Sequence, residues 1–251
     1  MRVFNWFLPA VALAAHAVVC AAQAPGDLTL KIPSVKTQLN LEGQPVEITA
    51  WGTVASSGAG TFRIAMTADL GNFQENLTAL MAAQLNRSDR CGERLSVERA
   101  VLVPKPPSAL LTVNVHYERY TCVKALGKEL VKRLVGGNGV VEVGLTPSVG
   151  QNRIALAAET REIDADGSLG EVLRSGSLGE SLRQKIAASI ESAVQKSASF
   201  PSALPAEVGN GLTLQAVQFA DGGDQKLWLT TAGEVRLPVG QFRALSKLLA
   251  K

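Results

Sequence analysis

The chain has 251 residues, 46% of them hydrophobic, with 25 basic against 22 acidic side chains. That length and apolar content suffice for one large cored domain or two small ones. The small positive surplus does not predict nucleic-acid binding, which usually needs a strongly basic face, and aromatic residues at 5% leave few platforms for stacked bases.

Residues 1–24 read as a secretory signal peptide. Arg2 is the positive n-region, Phe7 to Ala22 form the apolar run, and Ala22-Gln23-Ala24 is a small-x-small cleavage pattern. Cleavage after Ala24 removes His16 and Cys20 and leaves His116, Cys91 and Cys122 as the histidine and cysteine inventory. Two alternatives stand beside it. The apolar run just reaches the length needed to stay as an uncleaved N-terminal membrane anchor. Cys20 is also near the place for lipid attachment, although Val19 precedes it where processing wants a small residue. The protein is therefore expected to be exported, periplasmic or secreted. In an oxidising compartment two remaining cysteines predict a Cys91–Cys122 disulfide, worth about 3 kcal/mol or somewhat more.

Residues 25–45, with Pro25, Pro33, Gly43 and Pro45, read as an extended lead-in with room for one edge strand. Phe62, Ile64, Met66 and Ala68 then alternate with Thr61, Arg63, Ala65 and Thr67, the period of a half-buried strand. From Asn72 to Asn86 the period lengthens: Phe73, Leu77, Leu80, Met81 and Leu85 recur every three or four residues. This predicts an amphipathic helix with Asn72 as N-cap and Glu75 completing a capping box.

Two strands follow, around Leu95–Val103 and Leu111–Tyr117, joined by a turn at Pro104, Pro106, Pro107 and Ser108. Antiparallel pairing brings Cys91 and Cys122 to the open end of this hairpin. Lys124–Val135 is compatible with a short basic helix, and Gly136-Gly137-Asn138-Gly139 with a turn after it. Val141–Leu145 and Ile154–Ala158 form a further hairpin around Ser148–Asn152.

An octapeptide beginning Gly167-Ser168-Leu169-Gly170 recurs nine residues later at Gly176. Each copy holds an S-x-x-E capping box. The first predicts one or two helical turns. The second opens a helix with Leu182, Ile186, Ile190 and Val194 spaced four apart. Leu212–Phe219 and Lys226–Leu237 make a last hairpin, and residues 241–251 an amphipathic C-terminal tail.

The expected fold class is α+β: a long curved antiparallel sheet packed against two amphipathic helices, with a helix–hairpin unit occurring twice. The domain layout is a signal peptide (1–24), a lead-in (25–45), one α+β domain (46–240) and the tail (241–251).

Catalytic signals are few. His116 lies by alternation on the wetter face of its strand, where solvation explains it. Asp164-Ala165-Asp166-Gly167-Ser168 begins like a calcium loop, but Ser168 and Ser175 occupy the places where position 5 and position 12 need carboxylates. No metal site and no cofactor are expected. Asn76 and Asn86 fit the glycosylation acceptor pattern.

The apolar faces are the remaining candidates for function. Phe73, Leu77, Leu80 and Met81 on the first helix, with Leu182, Ile186, Ile190 and Val194 on the second, would line a groove against the sheet. The same residues equally suit a filled core. The basic stretches Lys124–Arg133 and Arg243–Lys251 allow peripheral contact with anionic membrane lipid.

The helix-then-hairpin order, with Ala203-Leu204-Pro205 before the last two strands, resembles the tubular lipid-binding (TULIP-like) superfamily over roughly residues 46–237. The chain also resembles exported bacterial proteins. The first resemblance implies a curved sheet wrapped on a helix and a lipid held in the groove between them. The function expected is non-enzymatic binding of a lipid or other apolar ligand, with no nucleic-acid partner. The alternative is an envelope interaction or scaffold domain with a solid core.

Overall fold

The structure, a computed structural model, describes residues 29–41, 44–58, 60–125, 128–150, 152–174, 184 and 212–236. Among them run ten strands and two short helices. In chain order these are β1 (Thr29–Leu41), β2 (Gln44–Gly58), β3 (Thr61–Asp69), α1 (Gly71–Leu85), β4 (Arg87–Ser88), β5 (Glu93–Lys105), β6 (Ser108–Ala125), β7 (Lys128–Gly150), β8 (Arg153–Ala165), α2 (Gly167–Arg174), β9 (Leu212–Asp221) and β10 (Leu227–Arg236).

The strands form two five-stranded sheets, ordered β1-β2-β3-β10-β9 and β4-β5-β6-β7-β8. All the strand pairs are antiparallel. The expected α+β class, with two amphipathic helices over one sheet, is therefore corrected: the chain is mostly strand, in two curled antiparallel sheets. The two hairpins of the expected helix–hairpin repeat are real, but β5–β6 and β9–β10 lie in different sheets. The expected helix through Leu182, Ile186, Ile190 and Val194 lies outside the described residues, as do the signal segment and the C-terminal tail.

Three sequence signals misled. Pro33 and Pro45 masked two long strands. Pro33 falls in the register shift between Ile32 and Val35 on the edge strand β1, and Pro45 stands at the start of β2. Proline is tolerated at just such places. The basic stretch Lys124–Val135 is not a helix. Apart from the tip, it belongs to the β6–β7 pairing, with Val123 opposite Leu130 and Cys122 opposite Val131.

The third is the glycine run Gly136–Gly139, which does not turn but continues inside the 23-residue β7. It is needed for close approach. A β-carbon on Gly137 would stand 2.5 Å from the Asp166 carbonyl oxygen and 3.0 Å from the Leu169 side chain. Leu169 of α2 is 1% exposed, so the bare backbone of β7 is the floor on which α2 sits. Ser168 Oγ accepts from Gly136 N at 3.0 Å and donates to Gly136 O at 2.9 Å, and Asp166 Oδ1 accepts from Asn138 N at 2.6 Å. The acidic turn that hints at a calcium loop is thus the clamp between α2 and β7.

Most buried side chains belong to one core between α1, the inner face of β5–β8 and the near ends of β9 and β10. On β6, Leu111, Val113, Val115 and Tyr117 point in, and Thr112, Asn114 and His116 are half-buried on the other face. A smaller core lies along the first sheet, where Phe62 faces Val235 and Ile64 faces Val54.

Helix α1 spans Gly71–Leu85, and Leu70 rather than Asn72 is its N-cap. Asn72 has other work. Its Oδ1 accepts from the backbone N–H of Glu47 in β2 at 2.8 Å. Gln74 joins three segments: its Nε2 donates to Leu102 O at 2.7 Å and Gln225 O at 3.0 Å, and its Oε1 accepts from Leu227 N at 2.8 Å. Thr78 Oγ1 accepts from Ala100 N at 3.0 Å, and Asn86 Oδ1 accepts from Val97 N at 2.8 Å. Asn86, which fits a glycosylation acceptor, is thereby engaged in a structural bond.

Cys91 and Cys122 form a disulfide with their Cα atoms 5.4 Å apart and a sequence separation of 31. It joins the segment before β5 to the far part of β6. A loop of that length corresponds to about 3 to 4 kcal/mol of stabilisation.

Two mutations test this account. Gly137→Ala lowers the unfolding midpoint by several degrees, because overpacking against backbone costs about 1–3 kcal/mol. Gly150→Ala, with nothing within 4 Å of the new carbon, leaves it unchanged. Gln74→Ala leaves three backbone groups without partners and costs about 2 kcal/mol or more by denaturant unfolding. A loss under about 0.5 kcal/mol would show that Gln74 does not hold the sheets to the helix.

Candidate ligand cleft

Phe73, Leu77 and Met81 stand four residues apart on α1 and so share one face. That face closes one wall of a cleft. Leu70, just before the helix, Leu102 of β5, Leu111 of β6 and Leu145 and Pro147 of β7 add to the lining. Ile154 and Leu156 of β8, Phe219 of β9 and Leu227 and Leu229 of β10 complete the lining. Every lining side chain is hydrocarbon or thioether, so the cleft offers no charge and no side-chain hydrogen-bonding group.

The cleft lies where the two sheets meet. β9 reaches the turns of the second sheet through Phe219 N, which donates to Pro107 O at 2.9 Å, and Leu214 N, which donates to Asn152 Oδ1 at 2.6 Å. α1 closes the opposite side through Gln74. The inner end is sealed: Leu111 and Leu227 are fully buried, and Leu77 and Met81 nearly so. Ile154, 37% exposed, marks the open end. The cavity volume is about 40 Å³, room for a few carbon atoms. Met81 is the adaptable part of the lining, because an unbranched thioether repacks at low cost.

Of the residues singled out from the sequence, Phe73, Leu77 and Met81 line the cleft. Leu80 is fully buried in the core beside it. Leu182, Ile186, Ile190 and Val194 lie outside the described residues. The sequence reading missed the lining from β5 to β10. Its alternation was visible, but alternation marks a buried face without saying which part of that face stays unfilled.

The polar groups form a separate network on the outer face of the second sheet. His116 Nδ1 lies 2.8 Å from Asn138 Oδ1, and its Nε2 lies 3.8 Å from Glu118 Oε1. Glu118 also accepts from Arg133 Nη1 and from Tyr120 Oη, both at 2.9 Å. The bond from Arg133, then that from Tyr120, holds its carboxyl below the usual carboxylate range. Arg94 stacks over the Tyr120 ring at 4.2 Å. His116 is thus a half-exposed strand residue with an amide partner. Cys91, Cys122 and Glu129 gather within 4.8 Å of one another, but both sulfurs are spent in the disulfide and Glu129 pairs with Arg90 at 3.3 Å. Among the described residues no helix is long and apolar enough to cross a membrane.

No family model and no curated protein matches the chain in sequence. Among solved structures, a crystal structure of lipopolysaccharide binding protein is similar at TM-score 0.36 and 10% identity, over 68% of this chain. The chain spans 32% of that protein's length. A likeness at this level assigns neither a fold family nor a function.

Tyr117 gives a pH signature for the core beside the cleft. Burial, then the nearby Glu93 carboxylate, pushes its hydroxyl up to about 12. Above pH 10 the unfolded chain ionises this phenol while the folded chain keeps it protonated. The stabilisation is complete below pH 10 and is lost as pH rises toward 12. The denaturation midpoint of the wild type therefore falls more steeply between pH 9.5 and 11.5 than that of Tyr117→Phe. Parallel curves would show that Tyr117 is not the group responsible.

Proposed function

We propose that this is an exported, non-enzymatic protein that takes the end of a lipid's hydrocarbon chain into the cleft under α1. The observation that carries the reading is a cleft lined from six strands and a helix by apolar side chains alone, at the seam between two sheets. A surface of that kind gives a hydrocarbon chain about 0.8 kcal/mol per methylene buried and gives a polar substrate nothing to hold. The disulfide supports export, since such bonds persist in oxidising compartments. The small cavity points to one end of a chain, with the polar head outside past Ile154.

The same small volume favours a second reading: an envelope interaction domain whose cleft is simply the loosest part of a filled core. Titration of the delipidated protein with a fluorescent fatty acid separates the two. Saturable binding is expected, weakened about tenfold or more by Ile154→Asp, which sets a charge at the mouth. Absence of both saturable binding and co-purifying lipid in native mass spectrometry would give the second reading the case.

A further inference from the structure

Toward its tip the β6–β7 hairpin loses its neighbours. On the β6 side the last backbone tie is Tyr120 N to Gly92 O at 2.8 Å, and on the β7 side the last residues held are Gly136–Asn138, bonded to Ser168 and Asp166. Beyond these ties the two strands form a ribbon whose backbone pairs only with itself among the described residues, roughly 15 Å long at 3.3 Å per residue. A lone two-stranded ribbon is marginal in water. This one is fastened along one face. That face carries Cys122, tied to Cys91; Glu129, paired with Arg90 at 3.3 Å; and Arg133 and Tyr120, both bonded to Glu118.

Among the described residues the opposite face is bare. It continues the row that buries Leu111, Val113, Val115 and Tyr117, but here no described residue covers it. Val123 and Leu130 face each other across the ribbon at 52% and 58% exposure, and Leu134 follows at 56%. Lys128 and Lys132 alternate with the two leucines along β7. Lysines on a free strand edge guard against edge pairing. Three large apolar side chains on that same face do the reverse unless a further surface receives them.

Charge identifies the surface. The bare face carries Lys128 and Lys132 and no acidic side chain, while residues 119–134 as a whole hold five basic side chains (Arg119, Lys124, Lys128, Lys132, Arg133) and one acidic (Glu129), a net of +4. The whole chain has a net of +3, so everything outside the ribbon sums to −1. Alternating leucine and lysine on one face suits an anionic bilayer: the apolar groups enter the acyl boundary while the ammonium groups reach back to phosphates.

We propose that the β6–β7 ribbon is a membrane-docking arm that lays this face on an anionic lipid bilayer. The arm works whether or not the cleft holds a lipid chain, because it uses none of the cleft's residues.

The test is co-sedimentation of the full chain with vesicles of phosphatidylcholine alone or with about one-third phosphatidylglycerol. The protein should partition onto the anionic vesicles and be released as salt rises. Lys128→Glu/Lys132→Glu and Leu130→Ser/Leu134→Ser should each lower partition at least about tenfold. These side chains are exposed, so the unfolding midpoint should stay close to that of the wild type. Ile154→Asp should keep wild-type partition, which separates this proposal from the cleft reading. Equal partition of wild type and ribbon variants, or none onto anionic vesicles, overturns the proposal. So does a concentration-dependent dimer that Leu130→Ser/Leu134→Ser abolishes while vesicles leave it intact, which would assign the face to a second copy of the chain.

Discussion

Strand edges need partners, and in this protein a helix supplies them. The outer edge of β5 meets β4 at Arg94 and Leu95, and beyond Leu95 its outward N–H and C=O groups have no strand beside them among the described residues. Asn86, Thr78 and Gln74 of the α1 region take those positions in turn, at Val97, Ala100 and Leu102. Asn72 does the same for Glu47 in β2, and Gln74 reaches β10 at Leu227. One helix thus satisfies backbone groups of both sheets, and an unmet buried backbone group costs about as much as the bond itself. Because its polar side chains are committed sideways, the face left toward the interior is Phe73, Leu77 and Met81. The cleft's place and its apolar character both follow from that arrangement.

The two sheets are otherwise joined at β9, whose edge is held by the turns of the second sheet at Pro107 and Asn152. The cleft sits in the angle between these two sets of ties. Sheets that meet at an angle cannot interdigitate fully along the seam, and a little unfilled space there is the geometric consequence. That space is the basis for reading the site as a receptor for a hydrocarbon chain end rather than for a whole small molecule.

The second sheet extends further than its core requires. Its two longest strands, β6 and β7, run past α1, β5 and β8 into the ribbon, and the disulfide sits where that extension begins. A covalent tie at this point shortens the part of the ribbon that must hold itself together. The polar network of Arg94, Tyr120, Glu118 and Arg133 adds to the same face. The asymmetry between a fastened face and a bare one gives the extension a direction.

The amino-acid sequence by itself determined the elements whose period is unbroken. β3, β5, β6, β9 and β10, the extent of α1, the short helix at the first octapeptide and the meeting of Cys91 with Cys122 all follow from alternation, helical spacing and turn residues. What only the tertiary structure decided are positions where a residue's usual local role is overridden by a neighbour distant in the chain. Asn72 is chemically a helix cap but serves β2, 25 residues earlier. Gly136, Gly137 and Gly139 have turn chemistry, yet they stay in a strand because α2 needs a surface without side chains. Leu80 and Leu77 have the same helical signal, and only the second faces the cleft. The reason is common to all three. Period and propensity are local quantities, whereas close approach, edge pairing and unfilled space are set by which distant backbone comes to lie alongside.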